Sequence, residues 1–294
     1  KMAARSEWII AGLTIKDVPR TRKPCLIVSG GPSLYRENIL QRLTRYPYAW
    51  NCTIVATDSA YVQCLRHGIV PDYVLTLDPH PTRVVRWFGD DDMKSNADAN
   101  SYFSRQDLDV AFRENQAAGN QNNIALVNRF RSPLVIASCA SASVVRRTAN
   151  HTRYWFCPLV DDPEQEGSLT RKMVEATDLP AMNTGGAVGS ACWVFAHSIL
   201  RSPDIAVVGF DHSYYDDLPL DQTQEWDMLK SAPQAENLFP FIDTPYGRCR
   251  MSPVYKWYAD NFLDLLSANA GKITNCSEHG IIHGEHIKRR SIEE

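Results

Sequence analysis

Aspartates recur in this chain just past short apolar runs. Asp58 follows Thr-Ile-Val-Ala-Thr, Asp78 follows Tyr-Val-Leu-Thr-Leu, and Asp211 follows Ile-Ala-Val-Val-Gly-Phe. A short, β-branched apolar run bounded by turn residues reads as a buried strand. Three strands therefore deliver carboxylates to one edge of a sheet. One such aspartate serves equally well as a helix cap. Three at one edge point to a polar cleft that binds ribose hydroxyls, a metal or a reacting group. His80 and His212 stand two and one residues beyond Asp78 and Asp211. A histidine there is a general base or a solvated loop residue. Asp211, His212, His80 and Asp78 are the candidate catalytic residues.

Two glycine-rich turns complete the set. Gly30-Gly31-Pro32-Ser33-Leu34 follows the apolar run Cys-Leu-Ile-Val, and Asn183-Thr184-Gly185-Gly186-Ala187-Val188-Gly189 precedes a second helical stretch. A strand that ends in glycines and opens a helix offers free N–H groups and the positive end of a helix dipole to a phosphate. It is also what a plain strand–helix turn or close helix–sheet packing looks like. Under the binding reading, Gly31→Val is expected to abolish nucleotide binding and to spare the fold. The nucleotide lies over Gly30, Gly31, Pro32 and Ser33, with the ribose near Asp58 and Ser59. Asn183, Thr184, Gly185 and Gly186 face the phosphate and sugar.

These residues need a scaffold of alternating strands and helices. Strands are expected at residues 25–29, 53–57, 73–77, 134–138, 154–157 and 205–209, and helices at 34–43, 59–67, 164–177 and 187–200. Such alternation implies a Rossmann-like α/β fold, a mostly parallel sheet with helices on both faces. Residues 1–23 are read as a lead-in segment, and 24–294 as one Rossmann-like nucleotide-binding domain. Two stretches break the rhythm and are read as surface insertions, 89–123 (helical at 106–116) and 212–245. Ser252-Pro253 starts a further helix, serine as cap and proline in the first turn. The tail from Asn275 to His286, bounded by glycines, is read as a loop closing over the cleft, and His197 as structural.

Bulk properties narrow the function. The 294 residues are 44 % hydrophobic and 22 % charged, with a net charge of −3. No basic field is available to grip a nucleic-acid backbone, whereas a small anionic ligand needs only a local site. The eight cysteines include no C-x-x-C pair, so no structural zinc is expected. Several lie within apolar runs, as reduced thiols do in a reducing compartment. With no secretion signal or membrane-spanning run in view, a cytoplasmic location is expected.

Taken together, the motifs resemble the MptE-like and Maf family, which contains 6-hydroxymethyl-dihydropterin diphosphokinases and motility-associated-factor flagellin glycosyltransferases. The resemblance rests on Gly30 to Leu34, Asp58-Ser59-Ala60, Leu65 with Gly68-Ile69 and Pro71-Asp72, Leu77-Asp78, Gly185-Gly186-Ala187-Val188 and Gly209-Phe210-Asp211. Thr184-Gly185 and the Gly209-to-Tyr215 segment also resemble bacterial sialyltransferases, where the equivalents of Tyr214 and Tyr215 border the donor site. The first reading that the resemblance implies is a metal-independent glycosyltransferase using a CMP-activated nonulosonic sugar, with a small-molecule, glycan or protein acceptor. The second is an ATP-dependent hydroxymethylpterin diphosphokinase, with Asp58, Asp78 and Asp211 as Mg²⁺ ligands. The third is a nucleotide-binding protein without chemistry.

Overall fold

The computed structural model describes residues 12–46, 51–93 and 116–294. Strands follow in chain order as β1 (Leu13–Thr14), β2 (Cys25–Val28), β3 (Thr53–Thr57), β4 (Tyr73–Thr76), β5 (Leu134–Ala137), β6 (Arg153–Pro158), β7 (Ala181–Met182) and β8 (Ile205–Val208). They continue with β9 (Tyr214–Tyr215), β10 (Phe241–Thr244), β11 (Gly247–Arg250), β12 (Ile273–Asn275) and β13 (Ile287–Arg289). Ten of them form one sheet in the order β1-β6-β5-β4-β3-β2-β8-β12-β13, with β7 beside β6. Every pairing in it is parallel. This is the expected α/β architecture.

Alternate strand residues build opposite layers. Ile27, Val55, Leu75 and Val135 pack with Trp193, Phe195 and Phe262. Their neighbours face the other way: Val28 and Ala56 pack with Leu34 and Leu40, and Val74 and Ile136 with Tyr61 and Phe88. Burial on both faces explains why these strands read as continuous apolar runs. From β2 the chain steps outward through β3, β4, β5 and β6, then returns to place β8 on the other side of β2. The loops after β2 and β8 part at this reversal, the topological switch point where such sheets bind ligands.

Several elements differ in detail. The helix expected over residues 34–43 is two, Pro32–Arg36 and Ile39–Leu43, parted at Asn38 with φ of 50°. The 164–177 helix begins only at Leu169. Asp161 accepts the Leu169 and Thr170 N–H groups at 2.7 and 2.9 Å, and the Ser168 hydroxyl caps Arg171 N–H at 3.1 Å. The 187–200 helix is α-helical at Val188–Val194 and a π-helix at Phe195–Ile199. In the first insertion, residues 94–115 lie outside the described residues, as does all but the last residue of the expected 106–116 helix. The Gly-Asn-Gln-Asn-Asn stretch at 119–123 is a correction: it lies inside the helix Gln116–Phe130. Its asparagines have specific partners. Asn120 exchanges hydrogen bonds with the Asp90 backbone at 2.8 and 2.7 Å, and Asn123 accepts from Arg66 at 2.7 Å. The second insertion holds β9 and β10, which join β11 just beyond it in a three-stranded antiparallel sheet, β10-β11-β9.

The helix Pro253–Ala268 starts where expected. The Ser252 hydroxyl accepts the Tyr255 N–H at 3.2 Å, and Pro253 sits in the first turn. Ser252→Ala is expected to lose about 1 kcal/mol of stability, measured by urea unfolding; an unchanged midpoint would show that packing alone sets this helix start. Among the described residues no helix is long and apolar enough to cross a membrane, and all eight cysteines are free.

Candidate active site

A cavity of about 590 Å³ opens along the C-terminal edge of the parallel sheet, within the range of small-molecule sites. Its floor comes from the loops after β2, β3, β4 and β8, including Gly30, Gly31, Pro32, Asp58, Ser59, Asp78, Asp211 and His212. Thr184 and Gly186 join them from the second glycine turn, and Tyr255 and Tyr258 from the Pro253–Ala268 helix. The far end, toward β5 and β6, is apolar and is walled by Trp87, Cys139, Pro158, Val160 and Met173.

The three aspartates do different work. Asp58 is buried, accepting the Thr76 hydroxyl and the Ser59 N–H at 2.8 Å each. Burial pushes its pKa up to about 7, helped by the nearby Asp78, while its hydrogen bonds and Arg83 pull the other way. Asp78 accepts the His80 N–H at 2.8 Å and pairs with Arg83 at 2.7 Å. Asp211 accepts the Ser33 N–H on Oδ2 at 3.0 Å. Its Oδ1 is buried without a hydrogen-bond partner. Burial raises Asp211 to about 7 as well, with hydrogen bonding from Ser33 opposing. Among the described residues no three His, Cys, Asp or Glu side chains are grouped to hold a metal ion. The three carboxylates thus do not fit a shared Mg²⁺ cage.

The histidines separate. His212 lines the cavity at φ of 48°, a backbone state uncommon outside glycine and asparagine. Its ring packs edge-on to Phe210 with centroids 4.7 Å apart. Burial drives its pKa down to about 4, so it is neutral at pH 7. His80 does not line the cavity. Its Nδ1 accepts the Arg83 N–H at 3.1 Å and the Thr82 N–H at 3.3 Å, so it caps the Arg83–Arg86 turn. His197 stacks on Trp193 at 4.7 Å, a packing role.

The two glycine turns also separate. At Gly31 a Cβ would run into the Asp211 carboxylate and the Gly209 carbonyl. The first helix N-terminus therefore carries the protein's own carboxylate, which receives the Ser33 N–H; Ser33 itself is buried and does not line the cavity. At Gly185 and Gly186, Cβ atoms would strike Leu265 and Trp257, so these glycines admit the Pro253–Ala268 helix. Gly185 and Asn183, whose Oδ1 accepts the Gly185 N–H at 2.9 Å, do not line the cavity. The helix that follows begins with Ala187, Val188 and Gly189 in the cavity wall and has no side-chain cap. Tyr214 is fully buried, its hydroxyl donating to Glu225 at 2.6 Å, and Tyr215 lies behind Asp211. Neither lines the cavity. The tail from Asn275 to His286 does not cover the cleft either. It packs behind the Asp211 turn, where Ser277 Oγ accepts the Phe210 N–H at 2.9 Å.

Sequence reasoning passed over Arg83, Trp87, Tyr255 and Tyr258. Arg83 brings a guanidinium to the cavity wall, 5.2 Å from the Trp87 ring centroid. Its place five residues after Asp78 was the available signal.

The pattern of the 6-hydroxymethylpterin diphosphokinase MptE-like family matches residues 10–101. Over that stretch the sequence is similar to this family. The match holds the first glycine loop, Asp58 and Asp78. Among solved structures, the Maf glycosyltransferase from Magnetospirillum magneticum AMB-1 superimposes with a TM-score of 0.60 at 12 % identity. The alignment covers 99 % of this chain and 38 % of that one. At this identity the likeness is one of fold. Together the two findings bear out the MptE-like and Maf resemblance read from the motifs. No curated protein matches the chain.

Proposed function

We propose that this MptE-like chain is a transferase of the glycosyltransferase kind that uses a nucleotide-activated sugar, a CMP-activated nonulosonic sugar being the best candidate donor. The observation that carries the reading is Asp211: a carboxyl at the switch point, in the cavity wall, raised to about 7, with one oxygen unpaired. A base is most effective when its pKa lies near the working pH. Asp211 accepts the acceptor hydroxyl's proton as the glycosidic bond to the leaving phosphate breaks and the acceptor oxygen takes its place. Neutral His212 beside it accepts or donates a hydrogen bond without adding charge. The uncapped helix start at Ala187 to Gly189, with Thr184, receives the phosphate, because Asp211 already occupies the first turn. Arg83 adds positive charge to the same cavity. Asp58, held by Thr76 and Ser59, is left to the ribose hydroxyls.

The family description favours one rival, transfer of a diphosphoryl group from ATP to a hydroxymethylpterin, with AMP leaving. A thermal-shift screen with CMP, CDP, ATP and ADP, with Mg²⁺ or with EDTA, separates the two. CMP is expected to stabilise the protein equally in EDTA and in Mg²⁺, by about 2.7 kcal/mol at 100 times its Kd. Stabilisation by ATP alone, and only with Mg²⁺, would replace this proposal with the diphosphokinase.

A further inference from the structure

A buried imidazole stands behind Asp211. His279 is 4 % exposed and does not line the cavity. Its Nδ1 lies 3.9 Å from Asp211 Oδ1 and 3.4 Å from the Ser213 hydroxyl. Its Nε2 is buried without a partner. The ring is held firmly. It stacks on Tyr215 with centroids 3.8 Å apart. The Arg36 guanidinium lies 4.1 Å from the same tyrosine ring, and the Tyr215 hydroxyl donates to Glu37 at 2.7 Å. The backbone is held as well. Arg42 donates twice to the Glu278 carboxylate, at 2.8 and 2.7 Å. Ile281 N–H donates to the Asp211 carbonyl at 2.9 Å, and a Cβ at Gly280 would overlap the Asp211 backbone. Burying a polar ring with one nitrogen unsatisfied costs free energy that an apolar side chain would not. Packing alone does not account for a histidine here.

We propose that His279 is a positioning residue for Asp211, backing the carboxylate on its Oδ1 side and offering it the Nδ1–H of a neutral ring. The step balances: the acceptor O–H breaks and Asp211 gains and keeps the proton, while the neutral ring beside it holds the carboxyl in place without taking the proton. An approach of about 1 Å brings the two atoms to hydrogen-bond distance. The charged and titratable groups around the pair are Arg36 and Glu37 after β2, Tyr215, Asp216 and Asp217 at β9, and Tyr246 and Cys249 at the β10–β11 hairpin. Arg36 is engaged by Asp217 through two hydrogen bonds, at 2.6 and 2.7 Å. Burial drives His279 down to about 4, with Arg36 acting the same way and Glu37, Asp216 and Asp217 opposing. The ring is thus neutral when Asp211 is charged, and can donate to the carboxylate from Nδ1 without competing for its proton.

This inference rests on Asp211 as the base, so its test uses the protein without substrate. Asp211 is followed by ¹³C NMR of its labelled carboxyl, assigned through Asp211→Asn. His279→Leu is expected to raise the Asp211 midpoint by at least about one pH unit, tenfold in proton affinity, and His279→Gln, which keeps a polar donor, to restore most of it. The reciprocal measurement guards against a leucine variant that does not fold: Asp211→Asn is expected to lower the His279 imidazole midpoint, because coupling between two sites runs both ways. An Asp211 midpoint that ignores His279, or a His279 midpoint that ignores Asp211, would overturn the pair whether or not Asp211 is the base. Coupled titrations alongside full turnover in Asp211→Asn would uphold the pair and remove Asp211 as the base.

Discussion

Asp211→Asn is expected to lower turnover by about a hundredfold or more while leaving the protein folded, the loss typical of a missing general base. Asparagine is isosteric, and its Oδ1 can still accept the Ser33 N–H that Asp211 now receives at 3.0 Å. What it loses is the ability to take a proton. The same substitution carries a stability signature whose sign follows from burial. Burial raises Asp211 to about 7 in the folded chain against an ordinary value of 3.8. Between those values the folded state holds a proton that the unfolded state has released. Wild-type stability from this group therefore falls as pH rises from about 4 to about 7. Asp211→Asn escapes that loss. Its stability relative to wild type should improve across this window, by on the order of 4 kcal/mol at full ionisation. Urea unfolding at pH 5 and pH 8 reads the difference, and consumption of the donor found in the nucleotide screen reads the turnover. Undiminished turnover would make Asp211 a turn cap and leave His212 to carry the chemistry.

Gly31→Val is expected to destabilise the chain by about 3 kcal/mol or more, a larger effect than the loss of a ligand contact. The Cβ direction at Gly31 points at the Asp211 carboxylate and the Gly209 carbonyl. The Gly31 N–H donates to that same carbonyl at 2.8 Å. A valine would push β2's exit loop off β8's and strand a buried carboxylate, combining overpacking with lost hydrogen bonding. The sequence reading, which put a phosphate in this space, expected the fold to survive. Denaturant unfolding of Gly31→Ala and Gly31→Val decides between the two. A fully stable valine variant would mean that the loop can open, and would return the space above Gly31 to the ligand.

Much of this protein was legible in one dimension. Fully buried parallel strands must be short apolar runs, and the glycine or aspartate just after β2, β3, β4 and β8 marks where each leaves the sheet; that is why these four, and β5 and β6 by their apolar runs alone, could be read with small errors at their ends. The Ser252 cap was legible because a cap is a local interaction between residues three apart. The Asn-rich helix at Gln116–Phe130 was not, since Asn120 and Asn123 gain their partners from Asp90 and Arg66 far along the chain. Nor could sequence separate residues that reach a strand end from those that face a cavity. Asp58, Asp78 and Asp211 all stand at the same sheet edge, yet Thr76, Arg83 and Ser33 engage them differently. His80 and His212 looked equivalent, and local hydrogen bonds turned one into a cap while the chain path buried the other in the cavity wall. The strand periodicity and the glycine turns determined the α/β scaffold and the edge on which its site lies. Only the tertiary structure decided that the first turn is filled by Asp211, that Arg83, Tyr255 and Tyr258 wall the cavity, and that His279 stands behind the carboxylate. Those contacts join residues tens to hundreds of positions apart, and burial, which no residue carries in its own identity, sets their charge.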